Sequence, residues 1–238
     1  MASTRAYAQL ALDHIRHLAE TIGPRGSTTS GEREAAENAR RIMADLGFEA
    51  RIESFAAGRS TYRPFVLALG GALLAGVLSA VVAHPVTAPL AALASGLGAW
   101  GMFAELDFTR NWVRRLLLGM PSQNTVGVVP AAGERRRRVV LLGHVEPHRT
   151  PIFYSSTTWH RLFVTLIGST LLSMALGVPV YIVLAVSGWR WIYGLATLFG
   201  AVQLFSLIMC LHADTTPYGP GANDNASGVG SSWRWAAG

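Results

Sequence analysis

The sequence predicts a mixed α/β fold whose chain is interrupted by four transmembrane helices, arranged as two hairpins. Half of the 238 residues are hydrophobic and 14% are charged, whereas a typical soluble domain is about 25% charged. The apolar residues form long uncharged runs, and the polar segments between them have the periodicities of helices and strands. This composition excludes a disordered chain, and the single cysteine, Cys210, excludes a disulfide scaffold.

Residues 1–60 are predicted to form the first part of an α/β domain. Apolar residues recur at near-helical spacing over residues 4–21, and a second helix is expected after a Pro-Arg-Gly break. Thr29 and Glu32 have the spacing of a capping box, in which the hydroxyl and the carboxylate satisfy free amides at a helix start. Residues 48–55 then fit a short strand.

Uncharged stretches predict the two transmembrane hairpins. The first two spans are near the ~20 residues that cross the hydrocarbon core as a helix, and the other two are longer. Residues 108–120 mix aromatic residues and leucines with three arginines, a pattern typical of a helix that lies at the membrane interface. The hairpins are expected at 61–107 and 153–213, with spans at 65–83, 86–104, 162–189 and 191–212.

The arginines predict the orientation of a multi-pass integral membrane protein. All 20 basic residues are arginine, and most of those near the spans lie in the long polar segments rather than in the hairpin loops. By the positive-inside rule, the soluble part and both termini are cytoplasmic. The net charge of +6 does not predict a nucleic-acid partner, because the arginines at 135–138 lack any supporting motif and fit a solvated hairpin end.

Residues 121–152 are expected to return to the α/β domain as a hairpin with strands at 124–130 and 139–143. The second strand is apolar throughout, as expected where both faces of a sheet are covered. It leads into His144, and Glu146 lies on the same face if the chain stays extended. Such a carboxylate can accept the second N–H of the imidazole and improve the other nitrogen as a ligand. The alternative is an ordinary surface pair.

Residues 214–238 contain a second polar cluster, Gly-Ala-Asn-Asp-Asn-Ala-Ser-Gly at 221–228. Its glycines permit a tight turn, and its Asn and Asp residues suit the start of a helix. In such a loop, Asp224 could bind one metal ion or bridge two through its two oxygens. The alternative is a simple N-cap.

Together these segments resemble the co-catalytic di-zinc aminopeptidases of metallopeptidase family twenty-eight. The family signatures are a strand ending in His-x-Asp and a Gly-Ala-Asn/Asp-Asp-Asn-x-Ser-Gly loop, which read GHVE at 143–146 and GANDNASG at 221–228 here. Residues 24–55 resemble the opening of that family, and 122–144 resemble its next hairpin. The resemblance implies an incomplete zinc-exopeptidase-like sheet with flanking helices, into which the membrane hairpins are inserted.

The resemblance also implies roles for individual residues. His144 ligates one zinc ion, and Asp224 bridges the two zinc ions of the complete family site. Glu146 takes the place of the family Asp that orients the histidine. The implied function is a membrane-anchored, zinc-dependent exopeptidase that acts on peptide substrates next to the lipid bilayer.

The family pattern continues beyond the residues present in this chain. It includes a glutamate pair that supplies the general base, a further acidic ligand and a distal histidine, so we expect an N-terminal fragment that is inactive alone and binds zinc weakly. Two alternatives remain: a non-catalytic membrane pseudoenzyme or scaffold, and a transporter or structural protein, although the spans lack the buried charges of an ion path.

The remaining histidines are expected to be peripheral, although His148 remains open as a local metal ligand. His14 and His17 are expected to face solvent on the first helix, and His84, His148, His160 and His212 to lie at the interface.

Overall fold

The computed structural model of the protein describes residues 2–82, 84, 86–131, 133–134 and 137–230. The chain forms two compact units, each built from separate parts of the sequence. Unit 1 comprises the described residues of 1–59, 119–150 and 217–238, and unit 2 comprises those of 60–118 and 151–216. The chain therefore leaves unit 1 twice and returns to it twice.

Unit 1 is a mixed α/β unit with a small sheet. Its second helix begins where a capping interaction is expected. Thr29 Oγ1 accepts from the amide of Glu32 at 3.3 Å, and the Glu32 carboxylate accepts from the amide of Thr28 at 2.7 Å. Its elements are α1 (Ala2–Arg16), continued by a π-helical turn at His17–Ile22, then α2 (Ser30–Asp45), β1 (Glu49–Gly58) and β2 (Leu118–Val128), and the two strands pair with each other.

The core of unit 1 lies on α2. Leu18, Ala35 and Ala226 are fully buried together, and Val145 packs against them. A neighbouring cluster joins Ala39 with Val229. The segments around Val145 and around Ala226 therefore share one helix face, although they are far apart in the sequence.

The histidine on the inner face of α1 corrects one expectation. His14 is 3% exposed rather than solvent-facing. It lies four residues from both Leu10 and Leu18, so the helical repeat places all three on one side. The amide of Asn38 approaches its ring at 3.5 Å.

The strand expected at 139–143 is not formed. These residues run without strand pairing, and Val139 and Leu142 are 80% and 90% exposed. The expected strand at 124–130 appears as β2, which starts earlier and pairs with β1 instead. A strand that is apolar on both sides needs partners at its edges and layers over its faces, and the described residues supply neither here. In the part of the chain that is described, the sheet has two strands, and the zinc-exopeptidase-like sheet implied by the resemblance is not confirmed.

Unit 2 is helical, and four of its helices are long and apolar enough to cross a membrane. The four spans expected from the sequence thus appear as helices. The third is 31 residues long and begins before the expected span, because Ser156 caps it by accepting from the amide of Trp159 at 3.3 Å. The helices are α3 (Arg63–Val82), α4 (Thr87–Leu106), α5 (Trp112–Leu117), α6 (Thr157–Ser187) and α7 (Ile192–Thr215).

The helix predicted at 108–120 is shorter than expected. Helix α5 has six residues, since the chain enters β2 at Leu118. Arg114 forms an ion pair with the Glu105 carboxylate, which is buried. Asn111 donates to the same carboxylate at 3.0 Å. Trp112 donates from its indole to the carbonyl of Leu97 at 3.2 Å, so α5 lies against α4.

Candidate metal centre

The two proposed metal ligands lie side by side in unit 1. His144 Nε2 is 3.3 Å from Asp224 Oδ1. His144 follows the unpaired segment 139–143. Asp224 lies in the loop that begins at Gly221, whose φ of +63° is a left-handed conformation that favours glycine. The Asp224–Asn225 peptide bond is cis. Asn225 donates from its side chain to the carbonyl of His144 at 3.3 Å, a second link between the two segments.

A third side chain completes the cluster. His148 Nε2 lies 3.4 Å from Asp224 Oδ2. The carboxylate of Asp224 therefore has an imidazole nitrogen beside each of its oxygens. The sequence left His148 open as a local ligand, and its spacing from His144 alone could not show that both rings reach one carboxylate.

The main chain orients the His144 ring. Its Nδ1 lies 2.9 Å from the carbonyl oxygen of Glu146. A carbonyl can only accept, so Nδ1 carries the proton, and in the neutral ring the lone pair is on Nε2. That lone pair faces Asp224 Oδ1, which is also an acceptor. The contact is therefore favourable when a cation or a proton lies between these two atoms.

Glu146 contributes to the site in a different way from the sequence expectation. The orienting group is its backbone carbonyl, whereas its carboxyl group hydrogen-bonds to Glu32. Glu32 is 1% exposed and accepts from the Ser122 hydroxyl at 2.7 Å. Burial raises the pKa of Glu32, the neighbouring Glu146 raises it further, and the hydrogen bonds from Ser122 and Thr28 oppose the shift.

A buried arginine holds together the two segments that carry His144 and Asp224. Arg25 is fully buried. Its Nε donates to the carbonyl of Val145 at 2.6 Å, and its terminal nitrogens donate to the carbonyls of Pro220 and Gly221 at 2.7 and 2.9 Å. It also donates to the carbonyls of Leu18 and Gly23. Burial lowers the pKa of Arg25, and the nearby Glu146 opposes that shift.

Arg25 was not identified from the sequence. Its partners are carbonyl oxygens, which every residue carries, so no side-chain pattern points to them. The only available signal was a charged residue inside a Pro-Arg-Gly break, where a solvent-exposed side chain is the ordinary expectation.

Backbone contacts align the same two segments beyond the carboxylate. The amide of Gly219 donates to the carbonyl of His148 at 3.0 Å, and the amide of Thr150 donates to the carbonyl of Pro217 at 3.0 Å. The guanidinium of Arg149 lies 4.3 Å from the centre of the Tyr218 ring. These contacts fix the backbone of His148 relative to the loop that carries Asp224.

The donor set fits part of a zinc site. Two ligand atoms on one tetrahedral zinc ion lie about 3.4 Å apart, since bonds from zinc to nitrogen or oxygen are about 2.0–2.2 Å long. The separation of His144 Nε2 and Asp224 Oδ1 matches this spacing. Within the described ranges, no group of three or more His, Cys, Asp or Glu side chains is placed to hold one metal ion. His144 and Asp224 therefore fit as two ligands of a larger set.

The model of peptidase family M28 matches residues 196–238. This match confirms the resemblance to that family indicated by the sequence. The matched range contains Asp224 and its loop, and it extends through 231–238, which lie outside the described residues. No curated protein and no solved structure matches the chain.

Proposed function

We propose that the protein is a membrane-anchored, zinc-dependent exopeptidase of the aminopeptidase type. One observation carries the proposal: the lone pair of His144 Nε2 faces Asp224 Oδ1 at 3.3 Å. The resemblance to peptidase family M28 over 196–238 supports the reaction class. The partners are a peptide substrate and the lipid bilayer.

His144 and Asp224 would hold the metal, and other residues of this chain orient them. His144 presents Nε2 as a ligand because the carbonyl of Glu146 fixes its tautomer. Asp224 supplies negative charge that favours a divalent cation, and the Arg25 hydrogen bonds keep the two ligands in register before any ion binds. When bound, zinc polarises a peptide carbonyl and lowers the pKa of a bound water.

The 238-residue chain is expected to bind zinc weakly and to have no turnover. A general base must reach the attacking water with a free carboxylate. Glu32 and Glu146 hydrogen-bond to each other, so neither is assigned that role. Proton transfer therefore has no assigned residue, and the zinc ligand set is also incomplete among the described residues.

The experiment compares zinc binding and peptide hydrolysis by the full chain in detergent. We expect His144→Gln and Asp224→Asn to lose zinc that the wild type retains, and His160→Gln to bind as the wild type does. His160 is exposed in unit 2 and serves as the matched control. Unchanged zinc binding in both site variants, or robust hydrolysis of an aminoacyl anilide by the 238-residue chain, would contradict the proposal.

The membrane orientation is part of the same proposal. The four apolar helices support a multi-pass protein, and the positions of the arginines support a cytoplasmic soluble part with cytoplasmic termini. A reporter placed at the α6–α7 turn, near Gly188, should be accessible from the outer side, and one at the N-terminus should not. The opposite accessibility would overturn the orientation and leave the peptidase proposal intact.

A second candidate is a non-catalytic membrane scaffold that retains this fold. It is favoured by the Glu146 carboxyl group, which pairs with Glu32 instead of the imidazole. A folded wild-type chain that takes up no zinc under any condition would support the scaffold over the enzyme.

A further inference from the structure

The turn that ends α4 has a large apolar side chain where glycine is usual. The amide of Thr109 donates to the carbonyl of Ala104 at 2.9 Å, and the amide of Phe108 donates to the carbonyl of Glu105 at 3.3 Å. These bonds close the helix with Phe108 in the left-handed conformation, at a φ of +55°. Glycine commonly takes this position because it has no Cβ. Phe108 is nevertheless 91% exposed, the highest value for any large apolar side chain that the structure describes.

Packing inside unit 2 does not account for the Phe108 ring. A strained backbone at an exposed aromatic residue points to a role outside the fold, because glycine would close the helix at a lower cost. Phe108 lies two residues beyond the end of α4, which is long and apolar enough to cross a membrane. If α4 spans the bilayer, the ring lies at the membrane–water interface, where aromatic side chains are enriched.

The segment that follows this turn is fixed against α4 by side chains that face inward. The buried Glu105 carboxylate accepts from Arg114 Nε at 3.1 Å and from the Asn111 side chain at 3.0 Å. Val113 is fully buried, and a Cβ at Gly101 would lie 2.8 Å from its side chain. The outward side chains therefore project from a backbone that is held in place.

The outward side chains combine positive charge with apolar surface. Arg110 and Arg115 are exposed, and no described residue forms an ion pair with either of them. This holds for Asp107 too, the exposed acidic residue of the same segment. Leu116 is 67% exposed. Unpaired guanidinium groups next to exposed apolar side chains are typical of a segment that binds an anionic membrane surface.

We propose that the end of α4 carries a docking surface for anionic phospholipids, formed by Phe108, Arg110, Arg115 and Leu116. The ring and the leucine enter the bilayer below the headgroups, and each guanidinium binds a headgroup phosphate through paired N–H donors. In the predicted orientation this is the cytoplasmic leaflet, whose surface is negatively charged. The inference rests on the membrane anchoring in the proposed function and adds the class of lipid that this segment selects.

The chemistry favours a phospholipid over a soluble anion or a second copy of the chain. A free phosphate would bind the arginines and leave the two apolar side chains in water. A second copy would bring like charges together. A phospholipid instead supplies an anionic group and an apolar chain at adjacent depths, and the surface continues directly from α4.

The test is binding of phosphatidylglycerol to the full chain in detergent, measured by native mass spectrometry with phosphatidylcholine as the neutral reference. The wild type should prefer phosphatidylglycerol. Arg110→Gln and Arg115→Gln should each weaken that binding about fivefold, the effect of one arginine at an anionic surface. Arg110→Lys keeps the charge and should lose less. Arg33→Gln, at an exposed position in unit 1, is the control and should bind as the wild type does.

Variants of Phe108 separate lipid binding from folding. Phe108→Gly relieves the left-handed strain, so its Tm in detergent should equal or exceed that of the wild type, whereas its binding of phosphatidylglycerol should weaken several-fold. Phe108→Trp keeps an interfacial aromatic ring and should retain most of the binding. A Phe108→Gly protein that is less stable but binds phosphatidylglycerol normally would show that the ring serves the fold, and the proposal would be wrong.

Hydrogen exchange locates the contact. In nanodiscs, replacing part of the phosphatidylcholine with phosphatidylglycerol should slow exchange over 107–118 in the wild type but not in the Arg110→Gln, Arg115→Gln double variant. Glycerophosphoglycerol, the headgroup without acyl chains, should give no protection, and equal protection by it would replace the phospholipid with a soluble anion. Protection that follows protein concentration rather than lipid composition would indicate a second copy and overturn the proposal.

The outcomes distinguish this inference from the proposed function. If the full chain resists alkaline carbonate extraction from vesicles but binds the two lipids equally, the docking surface is wrong and the membrane anchoring stands. Release of the chain by carbonate would overturn both. Zinc binding at His144 and Asp224 depends on neither result and is measured separately.

Discussion

The helices of unit 2 and the metal-site segments of unit 1 are held in place by different kinds of contact. In unit 2, small residues let helices approach closely: Met174 packs at Gly98, and the Thr170 and Ser206 hydroxyls are 2.5 Å apart. In unit 1, the loops that carry His144 and Asp224 are held by one guanidinium through main-chain carbonyls. Unit 2 spreads its stability over many side chains, whereas at the site a single buried side chain, Arg25, donates to both segments.

This difference determines which changes should be severe. Packing between apolar helices tolerates the loss of any one contact, because the helices satisfy their own backbone hydrogen bonds. A buried charge with several carbonyl partners differs, because its removal leaves those oxygens without a hydrogen-bond donor. The predictions below test this contrast, beginning with the largest effect.

Replacing Arg25 should have the largest effect. Arg25→Met removes the donor to five carbonyl oxygens and should destabilise unit 1 by several kcal/mol, since each buried acceptor left unsatisfied costs about 1–3 kcal/mol. Zinc binding should be lost, and amide hydrogen exchange should rise in unit 1 but not in α3 and α4. Arg33→Met, on the exposed face of α2, is the matched control. Unchanged exchange around Val145 in Arg25→Met would show that side-chain packing alone holds the site.

Lowering the pH should weaken unit 1 through His14. Burial, and then the positive groups His17 and Arg25, lower the pKa of His14 from 6.5 to about 4. The folded state keeps the ring neutral, whereas the unfolded chain takes up a proton below pH 6.5. The contribution of the neutral His14 ring to the free energy of unfolding is therefore complete above pH 6.5. As the pH falls from 6.5 toward 4, the free energy of unfolding decreases by about 3 kcal/mol.

The measurement compares hydrogen exchange of α1 in the wild type and in His14→Asn at each pH. Intrinsic exchange rates cancel in this comparison, because both proteins experience the same solution. The wild type should lose protection between pH 6.5 and 4.5, relative to the variant. Parallel pH profiles in the two proteins would mean that His14 does not titrate with folding.

The two units also differ in how far the sequence predicts them. The four long helices follow from composition and length, because an uncharged run of about 20 residues has few alternative structures. The proximity of His144 and Asp224 was expected from resemblance to a family, and no local pattern in this chain predicts it. The prediction of a strand at 139–143 was wrong, because an apolar segment forms a strand only when neighbouring strands exist to pair with it.

One feature that the sequence analysis did not predict, the burial of His14, could have been inferred from the sequence pattern. His14 lies four residues from Leu10 and from Leu18, so the helical repeat already places it on their face. Arg25 had no comparable signal, since a guanidinium that binds main-chain carbonyls leaves no trace in the identity of its partners. The site is less predictable than the helices because its contacts are made to backbone atoms and between distant segments.

In unit 2, one added methyl group should produce a moderate effect. A Cβ at Gly98 would lie 2.9 Å from the carbonyl oxygen of Ala68, so the backbones of α3 and α4 must separate. Gly98→Ala should cost about 1–3 kcal/mol relative to Gly70→Ala. Gly70 is the matched control, because a Cβ there has no neighbour within 4 Å and gains the same helix propensity. Equal hydrogen exchange in α3 for the two variants would argue that this close approach contributes little.

The smallest effect is expected where a side-chain hydrogen bond in unit 1 is made to a carbonyl that already has a partner. Thr125 in β2 donates its hydroxyl to the carbonyl of Ala36 at 2.9 Å. That carbonyl lies inside α2 and accepts from the helix backbone, so Thr125→Val leaves no orphan oxygen and should cost about 1 kcal/mol. Thr125→Ser keeps the hydroxyl and should retain most of the wild-type stability, as measured by exchange in β2 and α2. A loss of stability as large as that caused by Arg25→Met would contradict this contrast. A hydrogen bond to a carbonyl that keeps a second partner would then matter as much as the hydrogen bonds of Arg25.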